Sequence, residues 1–368
     1  MMILMNDFKA EPPELREAML GAAQRVIESG WYVLGNEVVS FEKQWAAICG
    51  VDYGIGVGNG MDAIEIALCS LSIGVGDEVI TTPMTAFATV LAILRSGAIP
   101  VLADIDSDTG LLSIESVRRC ISKKTKAILL VHLYGQVRDM DKWTALCKAT
   151  DLYLVEDCAQ AHYAQWQGNV AGSFGIAGAY SFYPTKNLGA IGDAGMLITN
   201  DADIADKAKR LRNYGQSTRY YHPELGMNSR LDELHAAMLS ERVKWLHSFT
   251  ERRWQIAEYY REHIDNPLIN LLSAPEERTA HVYHLYVVTT AYRDALQVYL
   301  QENQIQALIH YPIPVHFQDP CKNILRDPKG LAKSEYHAAQ CLSLPCHPQM
   351  SDADIEHVAN TVNSFKVS

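Results

Sequence analysis

No apolar run in this sequence approaches the roughly 20 residues that a bilayer-spanning helix needs. The longest, such as Ala127-Ile128-Leu129-Leu130-Val131, have the length of a strand. Basic residues are outnumbered: 32 Lys and Arg against 43 Asp and Glu give a formal charge of −11. That balance argues against general affinity for nucleic acid or for an anionic membrane, though a local pocket can still take an anionic small molecule. The eight cysteines include no CxxC pair, which fits reduced thiols in a cytoplasmic protein. Cys341, Cys346 and His347 lie close together but match no common zinc spacing, so no metal site is expected. The N-terminus, Met1 to Met5, is apolar but short, lacks a basic leader and runs into Asp7, so no secretory signal is expected. No internal repeat is present.

Over 368 residues, 48% hydrophobic and 20% charged content describes a globular chain with a large core. Pro12-Pro13-Glu14 opens a helix whose apolar face (Leu15, Met19, Ala22, Val26) runs to Gly30. Asn36 is placed to cap a second helix carrying Val38, Phe41 and Trp45 on one face. From Val51, strands alternate with helices: Tyr53–Val57, Glu78–Thr81, Pro100–Asp104, Ala127–His132 and Leu152–Asp157 read as strands, followed by Gly178–Phe182 and Met196–Thr199. Such alternation predicts a mostly parallel sheet covered on both faces, with ligands beyond the carboxyl ends of its strands. After Asn200 come a helix to Leu211, a polar loop from Asn213 to Met227, and a long helical segment from Ser229 to His263. Pro267 to Thr279 reads as a linker, His281–Val288 as a strand, Tyr292–Gln301 as a helix, and a final helix follows Ser351-Asp352. Residues 1–240 are taken as a large domain and 241–368 as a smaller C-terminal α/β domain.

Lys186 stands between two apolar strands, and an unpaired ammonium there is costly. A carboxylate partner, a lowered pKa or a covalent bond to a carbonyl resolves that cost. Two upstream features give it a context. Gly58-Asn59-Gly60-Met61-Asp62 leaves a strand and enters a helix, where free N–H groups and the helix dipole suit a phosphate. Asp157 ends a hydrophobic strand, facing the ligand crevice. Phosphate turn, strand-end carboxylate and lysine, in that order, are what pyridoxal phosphate chemistry requires. The phosphate anchors, the carboxylate keeps the ring nitrogen protonated, and the lysine holds the cofactor and moves protons.

Five blocks then occur in order: Gly58 to Ile64, Pro83 to Phe87, Glu156 to Gln160, Ser181 to Asn187, and Gly226 to Asp232. The ordered set resembles the DegT/DnrJ/EryC1/StrS family of nucleotide-sugar aminotransferases, over nearly the whole chain. The resemblance implies the aspartate-aminotransferase-like α/β fold (fold type I), with a mostly parallel seven-stranded sheet in the large domain. It implies that Lys186 carries the cofactor as a Schiff base, Asp157 meets the pyridine nitrogen, Gln160 approaches the ring hydroxyl and Phe87 stacks on the ring. Gly60 and Met61 amides with the Ser181 hydroxyl would hold the phosphate, and Asn228 would reach the phosphate of the neighbouring subunit's cofactor in a homodimer. Many relatives have threonine where this chain has Met61, so only a backbone contact is expected there. His162, Tyr183, Tyr220, Arg230, His310 and His316 are expected to contact the sugar nucleotide, with His222 in the same loop as Tyr220. The implied reaction converts a dTDP-3-keto-6-deoxyhexose to the 3-amino sugar with L-glutamate as donor. The alternatives are amination at C4 of a GDP-, UDP- or dTDP-linked 4-keto sugar, and a non-catalytic cofactor-binding regulator.

Overall fold

The computed structural model describes residues 2–367. Helices α1 (Pro13–Ser29) and α2 (Asn36–Cys49) lead in. Strands and helices then alternate: β1 (Tyr53–Val57), α3 (Gly60–Ser70), β2 (Glu78–Thr81), α4 (Phe87–Arg95), β3 (Ile99–Leu102), α5 (Ile114–Cys120), β4 (Thr125–Val131), α6 (Met140–Thr150) and β5 (Tyr153–Asp157). A hairpin, β6 (Gln165–Trp166) and β7 (Asn169–Val170), precedes β8 (Ala177–Ser181), β9 (Gly195–Thr199) and α7 (Ala202–Leu211). The remainder is α8 (Glu233–Arg242), α9 (Leu246–His263), β10 (Asn270–Leu271), β11 (Tyr286–Thr289), α10 (Arg293–Glu302), β12 (Leu325–Arg326), α11 (Ala332–Gln340), β13 (Cys341–Leu344) and α12 (Asp352–Ser364).

The central sheet has the order β1-β9-β8-β5-β4-β2-β3-β12, and only β9 runs against the others. The period of two along each strand sorts side chains into two cores. In β4, Ala127 and Leu129 join α3, α4 and α7 on one face. Ile128 and Leu130 join α2, α5, α6 and α8 on the other. Both faces are dry, which is why these strands read as continuous apolar runs. A second, antiparallel sheet, β10-β11-β13, packs with α9, α10 and α12 around a separate core that includes Trp254, Tyr260 and Val358.

Seven strands of the central sheet come from residues 53–199, as expected; the eighth, β12, is supplied by the C-terminal part and pairs with β3. Polar contacts fasten that edge. Asp104 accepts from the Lys333 and Ser334 amides and the Ser334 hydroxyl, and Asp327 pairs with Arg119 and Ser116. The helical segment expected from Ser229 to His263 is divided by a 3-10 turn at Val243–Trp245. The division falls where the buried face changes: α8 packs Ala236 and Leu239 on the first core, and α9 packs Trp254 and Ile256 on the second. The strand expected from His281 begins only at Tyr286, because Tyr283 has a φ of +44°, outside the extended region. Asn36 does not cap α2; it is the first helical residue, and the carboxylate of Glu233 accepts from the Gly35, Glu37 and Val38 amides instead. The final helix carries a full capping box, Ser351 with Asp354.

Candidate active site

Four parallel strands deliver the central residues from their carboxyl ends. β1 turns through Gly58 and Asn59 into α3, β2 leads to Phe87 at the start of α4, β5 ends on Asp157, and β8 ends on Ser181 just before Lys186. The Asn59 side chain caps α3 by accepting from the Asp62 amide at 2.9 Å, and the Gly60 and Met61 amides, in the first helical turn, have no intrahelical acceptor. A Cβ on Gly60 would stand 2.6 Å from Ser181 Cβ, and one on Gly195 would stand 2.3 Å from the Asn59 carbonyl carbon. Only glycines allow the turn to seat this closely on β8 and β9. The result is a cradle of helix-N-terminal amides beside the Ser181 hydroxyl, suited to a phosphate. Met61 turns its side chain into the adjoining core, leaving its backbone to the cradle.

Lys186 is half-buried, held by a turn in which its amide donates to Tyr183 O at 2.9 Å. Burial lowers its pKa from the ordinary 10.5 to about 8, and the opposing charge of Asp157 keeps it from falling further. Asp157 is buried. Its Oδ2 accepts from Thr89 Oγ1 at 2.8 Å and its Oδ1 from the Ala159 amide at 3.1 Å. Gln160 Oε1 accepts from the Tyr134 amide at 2.6 Å and Nε2 donates to the Tyr311 hydroxyl at 3.2 Å, so the side chain is locked. Tyr311 is pushed up to about 12 by burial and by the nearby Asp157 charge. Asn187 is pinned by Val282 O and by His284 Nδ1, which fixes the backbone next to the lysine. Burial and the Lys186 charge hold His310 down to about 4, and they hold His284 well below its usual range. Neutral imidazoles add no second positive charge beside the lysine.

The residues expected at the sugar divide into two groups. Tyr183 is half exposed, and His310, partly buried, bonds Ser343 Oγ through Nδ1 at 2.9 Å. Tyr220 is 80% exposed, and Arg230 lies over the Tyr214 ring at 5.5 Å. Asn228 is exposed on the same loop, which is tied to the cradle where the Gly58 amide donates to Ser229 Oγ at 2.9 Å. His162 and His316 are different. His162 is fully buried among Trp45, Tyr180 and Phe182, with neither ring nitrogen partnered. Burial and the Lys186 charge push it down to about 3. In this structure the ring packs among aromatic side chains close to Lys186 and has no exposed surface. His316 is also buried, with Nε2 paired to Glu335 at 3.1 Å, and offers no open face to a sugar. Thr89, Tyr311, Asn187 and His284 were not expected here. Asn187 follows Lys186 and Tyr311 follows His310 in sequence, whereas Thr89 and His284 have no expected site residue beside them.

A cavity of about 820 Å³ lies elsewhere, between α5 and α6. Two of its cations pair locally, Lys142 with Asp139 and Arg118 with Glu115, and it holds none of the residues above. The cluster of His132, Glu156 and Cys158 is likewise spoken for: Glu156 already accepts from His132 and from the Gly172, Phe174 and Gly175 amides.

The residues around Lys186 fit pyridoxal phosphate: an anion cradle, a carboxylate for the ring nitrogen, an aromatic ring and an amine of lowered basicity. That donor set, at the carboxyl ends of a sheet with one reversed strand, defines a fold-type-I pyridoxal phosphate enzyme. Comparison with known proteins takes this further. The DegT/DnrJ/EryC1/StrS aminotransferase family model matches residues 13–363. The chain is 45% identical over 352 residues to the dTDP-3-amino-3,6-dideoxy-alpha-D-galactopyranose transaminase of Aneurinibacillus thermoaerophilus, covering 96% of this chain and 95% of that one. It is 40% identical over 361 residues to the dTDP-3-amino-3,4,6-trideoxy-alpha-D-glucose transaminase of Streptomyces venezuelae, covering 98% and 95%. The crystal structure of S. venezuelae DesV in complex with a ketimine intermediate superposes with a TM-score of 0.96 at 39% identity over 100% of both chains. The chain belongs to the DegT/DnrJ/EryC1/StrS aminotransferase family. It is a pyridoxal phosphate-dependent aminotransferase of nucleotide sugars. No helix among the described residues is long and apolar enough to cross a membrane.

Proposed function

We propose that the enzyme aminates C3 of a dTDP-3-keto-6-deoxyhexose, with L-glutamate as amino donor, in a homodimer whose subunits share their active sites. The 45% identity to a dTDP-3-amino-dideoxyhexose transaminase over 96% of this chain carries the choice of carbon and nucleotide. The loop at residues 213–230 supports the dimer: it exposes Tyr220, Tyr221 and Leu225 beside Asn228, an apolar surface suited to burial against a second copy.

The residues divide the work as follows. Gly60 and Met61 amides and the Ser181 hydroxyl hold the cofactor phosphate, joined by Asn228 of the partner subunit. Phe87 covers the ring face, which restrains tilt at little entropic cost. Gln160 meets the ring hydroxyl, and Asp157 keeps the ring nitrogen protonated. Pyridoxal phosphate, when bound, supplies an aldehyde that carries the amino group and a ring that accepts an electron pair. Lys186 Nζ, already shifted toward its neutral form, takes a proton from the donor carbon and returns one to the sugar carbon in the second half-reaction. Tyr183, Arg230 and His310 line the sugar-nucleotide side, with Tyr220 at its rim; Arg230 is suited to the diphosphate.

NMR of the product tests this reading. Incubation with dTDP-3-keto and dTDP-4-keto sugars, each with glutamate, is expected to place nitrogen at C3 of the first only. Amination at C4 alone would overturn the regiochemistry, and no turnover of either sugar would favour a binding role without catalysis.

A further inference from the structure

Asp157 is held by more than the ring nitrogen it serves. Thr89 Oγ1 donates to Asp157 Oδ2 at 2.8 Å, and Thr85 Oγ1 lies 2.7 Å from Thr89 Oγ1. Thr85, Thr89 and Asp157 are 4%, 1% and 6% exposed, so water does not compete for these bonds. A threonine has one hydroxyl proton. With Thr89's proton given to Asp157, its oxygen can only accept, and Thr85 must be the donor. The order is therefore fixed: Thr85 to Thr89 to Asp157. The other carboxylate oxygen, Oδ1, accepts from the Ala159 amide at 3.1 Å. Both oxygens are thus engaged from the protein side, one from β5's own turn and one from α4, and the carboxylate cannot rotate without losing a bond. The helix that carries Thr89 also begins with Phe87, so one rigid element sets both the ring face and the ring-nitrogen partner.

We propose that Thr89, backed by Thr85, is a positioning residue: a two-hydroxyl relay that orients Asp157 so that its free lone pair meets the pyridine nitrogen of pyridoxal phosphate. The relay acts on the cofactor only through that nitrogen.

The test measures cofactor affinity of the apoenzyme from the visible absorbance on reconstitution, in wild type, Thr89→Val, Thr89→Ser and Thr85→Val. Thr89→Val keeps the volume and removes the charged hydrogen bond, which should weaken pyridoxal phosphate binding roughly ten- to hundredfold. Thr89→Ser should restore affinity to within about threefold of wild type, and Thr85→Val, which removes a neutral donor, should cost about threefold to tenfold. The same series is then run with 1-deaza-pyridoxal phosphate, whose ring carries carbon in place of nitrogen. Wild type and Thr89→Val should bind that analogue alike. A Thr89→Val enzyme that binds pyridoxal phosphate like wild type would overturn the proposal. So would a penalty equally large with the deaza analogue, since that would mark a purely structural threonine. Should Thr89→Val fail to fold, Thr85→Val decides by the same pair of cofactors.

Discussion

The lowered basicity of Lys186 sets a pH dependence that can be worked out in advance. Capture of the cofactor aldehyde needs the neutral amine. With a pKa of about 8, about a quarter of Lys186 is neutral at a pH near 7.5, whereas an ordinary lysine at 10.5 would be about one part in a thousand. The apoenzyme should therefore take up pyridoxal phosphate some two hundredfold faster than an unperturbed lysine would allow at that pH. Stopped-flow absorbance after mixing apoenzyme and cofactor reads the rate directly. It should rise about tenfold per pH step at low pH and flatten above about 8. A rate still climbing tenfold per step between about pH 8.5 and 9.5 would refute the reasoning, because it would mean an amine of ordinary basicity. Stability follows with a definite sign. The unfolded chain keeps this proton to about 10.5 and the folded apoenzyme releases it near 8. Between these values the unfolded state binds more protons, so apoenzyme stability gains with rising pH from this group, by roughly 3 kcal/mol in total.

Three further perturbations follow from packing and capping. Gly60→Ala pushes a methyl into Ser181; it should cost about 1–3 kcal/mol of stability by overpacking and weaken pyridoxal phosphate more than phosphate-free pyridoxal, as measured by reconstitution. His162→Phe removes two unpartnered ring nitrogens from an aromatic core and should raise stability by about 1 kcal/mol in urea unfolding while leaving KM for the sugar nucleotide unchanged. His162 takes its proton at about 3 folded and 6.5 unfolded, so wild type loses stability as pH falls through that window and the phenylalanine variant loses less. Glu233→Ala leaves three amide donors at the start of α2 without their carboxylate acceptor and should cost about 2–4 kcal/mol in chemical denaturation.

The alternation of apolar strands and helices made the central sheet legible, because strands buried on both faces must be apolar throughout. Lys186, Asp157 and the Gly60 turn were legible for a related reason: chain order places each at a strand's carboxyl end. What escaped depends on distant partners. Glu233 replaces a local cap from nearly 200 residues away, and β12 joins the sheet through only two residues, too few to leave a periodic pattern. The burial of His162 was likewise not legible, because the aromatic side chains that enclose it come from α2 and β8 and the residues beside β8. Thr89 was hidden because a threonine on an apolar helix carries no sign of the carboxylate it meets in space.

Lys186 is the amine proposed to bind the cofactor. Borohydride reduction of the reconstituted enzyme, followed by peptide mapping by mass spectrometry, tests it most directly. The visible band should disappear, and one peptide, containing Lys186, should carry the reduced cofactor covalently. Label on a different lysine, or a Lys186→Ala enzyme that still forms the band and is still labelled, would contradict it.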